Sequence, residues 1–232
     1  MASPVNAALC AMVATAFWTL LGYTLGRRLF PRVLAIGAAP VLGWAVHSAA
    51  TLPILVLIGF SPIAVAGVGA LCVVVSGGSM LARAAKRDAE QAPTVPAWAY
   101  AAAAVLALVP AAAILPKFTA DAVHLADPIF DHSKIAIIDA MTRQGLPPVN
   151  PIFGEFGAPG RLAYYYLWHF SAAQLALPLG MSGWEADIGL TWFAAFASLT
   201  LMMALAVWLS KESRAAIWVV LLAAATSLRA TL

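Results

Sequence analysis

The chain has 232 residues, 63% of them hydrophobic and 10% charged, and a mean hydropathy of +0.90. A soluble domain carries about 45–50% apolar and about 25% charged residues, so a soluble fold is excluded and a multi-pass membrane protein is expected. The net charge of +3 does not indicate nucleic acid, because the basic residues cluster at the ends of apolar runs, where they report membrane orientation.

Apolar runs occur at 5–25, 33–60, 63–81, 97–115, 162–179, 188–209 and 215–232. Each is about long enough to cross ~30 Å of hydrocarbon at ~1.5 Å per residue. The expected fold is all-α: one transmembrane domain over 1–232, a polytopic helix bundle of about seven spans. No basic residue precedes the first run, so it is expected to be a retained span and not a cleaved signal. Within it, Gly22 and Gly26 have the small-xxx-small spacing of close helix approach, although an Ala- and Gly-rich chain produces that spacing readily. The second run has length to spare for tilt or for a kink at Pro40 or Pro53. Its His47 is read as a neutral histidine hydrogen-bonded between helices. Cys10 and Cys72 lie inside apolar runs with no Cys-x-x-Cys and no nearby histidine, which makes them small core or lipid-facing residues.

Arg27, Arg28 and Arg32 follow the first run and Arg83, Lys86 and Arg87 the third, so both loops are assigned to the cytoplasm. The N-terminus and the 117–161 loop then lie outside. On a count of seven, Lys211 and Arg214 also fall outside, against the rule. The last run stops at Leu232 with no flanking anchor, and an abbreviated chain is expected.

The 117–161 loop holds Asp121, Asp127, Asp131, Asp139 and Glu155, half of the chain's ten acids, together with His124 and His132. An exposed loop collects polar residues in any case, but here the spacing adds information. At about 100° per residue, HSKIAIIDAMTR sets His132, Asp139 and Arg143 on one side and Ile137, Ile138 and Met141 on another. This predicts a short helix lying flat at the interface, apolar face down, with Asp131 capping its start. Gly145 ends it and Pro147 and Pro148 prevent its continuation. GEFGAPG then supplies flexible glycines, and RLAYYYLWHF returns the chain to the membrane with the residues of an aromatic belt.

An acid after an outward span, a short amphipathic helix ending in glycine, a proline-rich turn and an aromatic return resemble the first external loop of the GT-C superfamily of membrane glycosyltransferases. PPVNPIFGEFGAPGRLAYYYLWHF is in particular similar to the "YYY" membrane-protein family. The resemblance covers about 117–210. It implies an integral, multi-pass protein of a bacterial plasma (inner) membrane that takes a sugar from a polyprenyl-phosphate donor to an unidentified acceptor. Asp131 matches the superfamily's catalytic aspartate, and His132 stands where a second acid often follows.

A donor of that kind has its lipid in the bilayer and its anomeric carbon just above, so the base must stand at that depth facing water. Asp131 is expected to accept the acceptor hydroxyl's proton in a single inverting displacement. His132, Lys134 and Arg161 are candidates for the leaving phosphate. Tyr165, Tyr166 and His169 are candidates for the sugar. No cofactor is required by the pattern; if Asp127 and Asp131 meet, Mg²⁺ or Mn²⁺ is the ion they would hold. Two other classes remain: a transporter or flippase for a lipid-linked solute, whose polar residues would sit mid-span, where His47, Gln174 and Thr191 are candidates, and a non-catalytic subunit of a larger membrane complex.

Overall fold

The computed structural model describes residues 3–81, 93–115, 117–118, 121, 123–124, 128–155, 158–162 and 166–229. Its framework is helical. Helix α1 is Pro4–Leu29, α2 Arg32–Gly37, α3 Ala39–Ile58, α4 Pro62–Leu81, α5 Ala97–Leu106 and α6 Leu108–Ala113. Two short strands, β1 (Lys117–Phe118) and β2 (Val123–His124), pair before α7 (Pro128–Gln144). Strands β3 (Val149–Glu155) and β4 (Ala158–Arg161) follow, then α8 (Leu167–Leu179), α9 (Gly183–Ser210) and α10 (Ala215–Arg229). Among the described residues, α1, α3, α4 and α9 are long and apolar enough to cross a membrane, and Ala97–Ala113 and Ala215–Thr226 are shorter apolar segments.

Local chemistry accounts for several boundaries. Ser3 Oγ accepts the Asn6 N–H at 3.4 Å and Pro4 takes the first helical position, a favourable start for α1. The 33–60 run divides at Ala38, not at Pro53, which rides inside α3. Pro40 has no N–H to donate to the carbonyl of Ile36, and this weakens the ladder at the break. The 97–115 run divides in the same way at Ala107, because Pro110 cannot donate to Leu106.

The chain forms two compact units. One contains Thr15–His47, Leu71–Pro110 and Trp192–Leu232. In it α1 and α3 meet backbone to backbone: a Cβ on Gly22 would run into the Ala39 carbonyl and the Gly43 amide, and a Cβ on Gly43 into the Trp18 carbonyl. Gly22 thus serves the close approach its spacing allows, with Gly43 opposite it. Trp18 packs on Phe193 with ring centroids 4.9 Å apart and planes tilted by 53°, and Gly37 faces Thr200 and Ala204. Arg27 donates from Nη2 to the Ser79 carbonyl at 2.6 Å. That bond sets the C-terminal ends of α1 and α4 side by side, so the two basic connections leave from the same face.

The other unit contains Met1–Ala14, Ser48–Ala70 and Ala111–Thr191, and it corrects three expectations. The first concerns α8, expected as a full span over 162–179. It has 13 residues, about 20 Å of helix against ~30 Å of hydrocarbon. Ser48 and Ser171 share a hydroxyl hydrogen bond at 2.9 Å, and Gln174 Nε2 donates to Thr51 Oγ1 at 2.9 Å. The pairs follow the same order on both helices, so α8 advances alongside the second half of α3 in the same direction. All eight residues from His169 to Ala176 are buried, as expected of a short segment enclosed by protein and not faced by lipid.

The second correction concerns α7. Gly145, at φ 87°, ends it as expected, but the helix begins at Pro128, so Asp131 stands in its first turn and not at its cap. Its apolar face does not lie on lipid: Ile135, Ile137, Ile138 and Met141 are buried where α7 packs on α8 and β3. The third correction is the glycine segment expected as a flexible loop, which is an antiparallel hairpin with Glu155 opposite Ala158 and Val149 opposite Arg161. A two-stranded ribbon has only edge strands, so Pro151 and Pro159 cost it little.

The glycine contact generates a test. Gly43→Leu is expected to lower the thermal unfolding temperature in detergent, at a cost of about 1–3 kcal/mol or more from overpacking; an unchanged transition would contradict the backbone contact.

Candidate functional site

Three carboxylates meet at the first turns of α9. Glu185 and Ser182 form a reciprocal capping box: Ser182 N–H and Oγ both reach Glu185 Oε2 at 2.9 Å, while the Glu185 N–H approaches Ser182 Oγ at 3.4 Å. The other oxygen, Oε1, accepts the Ser3 N–H at 2.8 Å and Asn6 Nδ2 at 2.9 Å. One acid therefore caps α9 and ties the start of α1 to it. Gly189, one turn further along, faces Ala7, Cys10 and Ala11 of α1.

The second carboxylate, Asp139, comes from α7. Its Oδ1 accepts the Gly183 N–H at 2.9 Å, using an orphan donor of the helix terminus and gaining from its dipole. A Cβ on Gly183 would collide with that carboxylate, so glycine is required for the approach.

The third is Asp187, 1% exposed. Its Oδ1 accepts Trp168 Nε1 at 2.9 Å, and its Oδ2 pairs with Lys134 Nζ at 3.2 Å. Lys134 is on α7 and Trp168 opens α8, so one buried anion links three helices. The side chain of Lys134 is 29% exposed and that of Asp187 2%: the negative end of the pair is enclosed and the positive end faces outward. His169 is buried beside Trp168, within electrostatic reach of both charges. His132 is exposed on α7, its ring edge-on to Trp184 at 6.4 Å.

Of the residues singled out by the sequence, Lys134 and His169 are brought together, and His132 stands two residues before Lys134 on the same helix. Asp131, one position before His132, is in the same first turn of α7; its backbone is described and its side chain is not. Arg161 stands in β4, opposite Val149, also by backbone alone. Tyr166 immediately precedes α8, and Asp127 and Tyr165 lie outside the described residues. Asp139 and Arg143, set on one side of the helix by their spacing, differ in partners: Asp139 accepts the Gly183 N–H and Arg143 is exposed. Among the described residues no three His, Cys, Asp or Glu side chains gather closely enough to hold a metal ion.

Asp187, Glu185 and Trp168 were missed. Both acids fall between the 162–179 and 188–209 runs, outside the acid-rich 117–161 loop. The Ser182-x-x-Glu185 pattern was the available signal, since a serine followed three residues later by glutamate before an apolar run marks a helix start.

No family model matches the chain, and no solved structure matches it. Over 119 residues, 51% of its length, it is 44% identical to the uncharacterized protein y4nK of Sinorhizobium fredii. The chain covers 18% of the length of that relative.

The pair can be tested through stability. Lys134→Met, which strands a buried carboxylate, is expected to cost about 3–5 kcal/mol, and the neutral double variant Lys134→Met/Asp187→Asn is expected to recover most of it. Equal stability of wild type and Lys134→Met in thermal unfolding would contradict the burial of the charge.

Proposed function

We propose that the chain is a GT-C-like, inverting membrane glycosyltransferase acting at the external face of a plasma membrane, with Asp131 as general base and a polyprenyl-phosphate sugar as donor. One observation carries the reading. The helix bearing Asp131 is held firmly along its later turns, by Lys134 to Asp187 and by Asp139 to Gly183, while Lys134, three residues after Asp131 and so beside it on the helix, keeps its side chain 29% exposed. A base needs that combination of a fixed backbone and access to water. Lys134 lies three residues after Asp131 on the same helix face and is the nearest positive charge for a leaving phosphate. His132 and Arg161 are further candidates for that role, and Tyr165, Tyr166 and His169 for the sugar.

The topology belonging to this reading has six crossings: α1, α3, α4, α5 with α6, α9 and α10. Helix α8 is a short segment packed within the protein. Helix α9 then starts on the side of α7, and Lys211 and Arg214 fall on the side of Arg27, Arg28 and Arg32. The contrary signal of the seven-span count disappears.

A second reading, passage of a lipid-linked solute, is favoured by the short buried α8 and the polar seam of Ser48, Thr51, Ser171 and Gln174. Uptake into proteoliposomes without a covalent product would favour it.

The main test is Asp131→Asn. In membranes containing wild-type amounts of protein it is expected to reduce sugar transfer from a polyprenyl-phosphate donor by about a hundredfold or more; undiminished transfer would remove Asp131 from the mechanism.

A further inference from the structure

The 145–166 segment leaves from the end of α7 and returns at the start of α8, and both helices are fastened to the same carboxylate. Asp187 receives Lys134 from α7 at 3.2 Å and Trp168 from α8 at 2.9 Å. These partners are 34 positions apart in sequence and meet at an anion only 1% exposed. Burying a carboxylate is costly unless its oxygens find donors, and both oxygens of this one are taken. Its position is correspondingly well defined.

We infer that Asp187 is a positioning residue for the Asp131 centre, setting the spacing between the first turn of α7 and the start of α8; this rests on the transferase reading above. Lys134 is one helical turn from Asp131, so whatever fixes Lys134 fixes the backbone that carries the base. Trp168 is two residues from Tyr166 and adjacent to His169, the edge assigned to the sugar. Asp139, bonded to the Gly183 N–H at 2.9 Å, gives α7 a second fixed point further along. With two points held, α7 cannot pivot about Lys134. Asp187 touches no reacting atom; it determines whether base and sugar edge stand at the right separation. A displacement of about 1 Å in such a geometry reduces turnover by on the order of a hundredfold.

The substitution Asp187→Asn separates the two ends of the clamp. Its amide oxygen can still accept Trp168 Nε1, while the ion pair to Lys134 is lost, so only the α7 end is released. The full chain in proteoliposomes is expected to show kcat lowered by about tenfold to a hundredfold with the donor KM within about threefold. Asp187→Glu, which keeps the charge, is expected to recover part of the loss. The Trp168 indole N–H signal of ¹⁵N-tryptophan-labelled protein, identified by its absence in Trp168→Phe, should persist in Asp187→Asn, as evidence that the α8 end is intact. Lys134→Met/Asp187→Asn is expected to unfold like wild type and still turn over slowly. Wild-type kcat in Asp187→Asn or in the double variant, alongside an inactive Asp131→Asn, would overturn this inference and leave the transferase reading standing. Full activity in Asp131→Asn, or no transfer by the wild type, would overturn both.

Discussion

Enclosing carboxylates in protein is unfavourable unless their oxygens find donors, and the first turns of α9 are organised around that constraint. Glu185, Asp139 and Asp187 take backbone N–H groups, an asparagine amide, an indole N–H and an ammonium as donors. Apart from the bond within its own cap, these bonds tie α9 to three other segments: the start of α1, α7 at two positions, and the start of α8. The arrangement is more than a helix cap. Each acid bonds a segment far away in sequence.

The same constraint accounts for the shape of the 117–161 region. Helix α7 has an apolar face wide enough to lie on lipid, but its isoleucines are buried on α8 and β3. Lipid contact and protein contact bury the same face equally well, and the choice is made by polar bonds the apolar pattern does not contain. Lys134 and Asp139 hold α7 against α9. Helix α8 is placed in a comparable way. Its Ser171 and Gln174 are paired with Ser48 and Thr51, and thirteen residues are too few to reach across the bilayer.

Much of the helical framework was legible because hydropathy and length are strong signals in lipid. The starts and ends of α1, α4, α9 and α10 fall close to the apolar runs, and Gly145 ends α7 as its position indicates. Less legible was whatever depended on partners distant in sequence. The 162–179 run looked like a span because composition does not record that half of it packs beside α3. Asp187 was missed because its value lies in Lys134 and Trp168, 53 and 19 residues away. The hairpin of β3 and β4 was hidden by its prolines, which normally argue against strands but are tolerated on both edges of an isolated ribbon. Of the candidate site, Lys134 and His169 were identified from sequence, whereas Asp187, which joins Lys134 and Trp168 to α9, was not.

In the proposed six-crossing topology α9 starts on the side of the membrane where α7 lies, and the Lys211–Arg214 connection is on the other side. Single cysteines at His132 and at Glu212, each in a Cys10→Ala/Cys72→Ala background, can be labelled in intact cells with a membrane-impermeant maleimide. The account predicts labelling at 132 from outside and at 212 only after the membrane is opened. Labelling of both positions from the same side would contradict it.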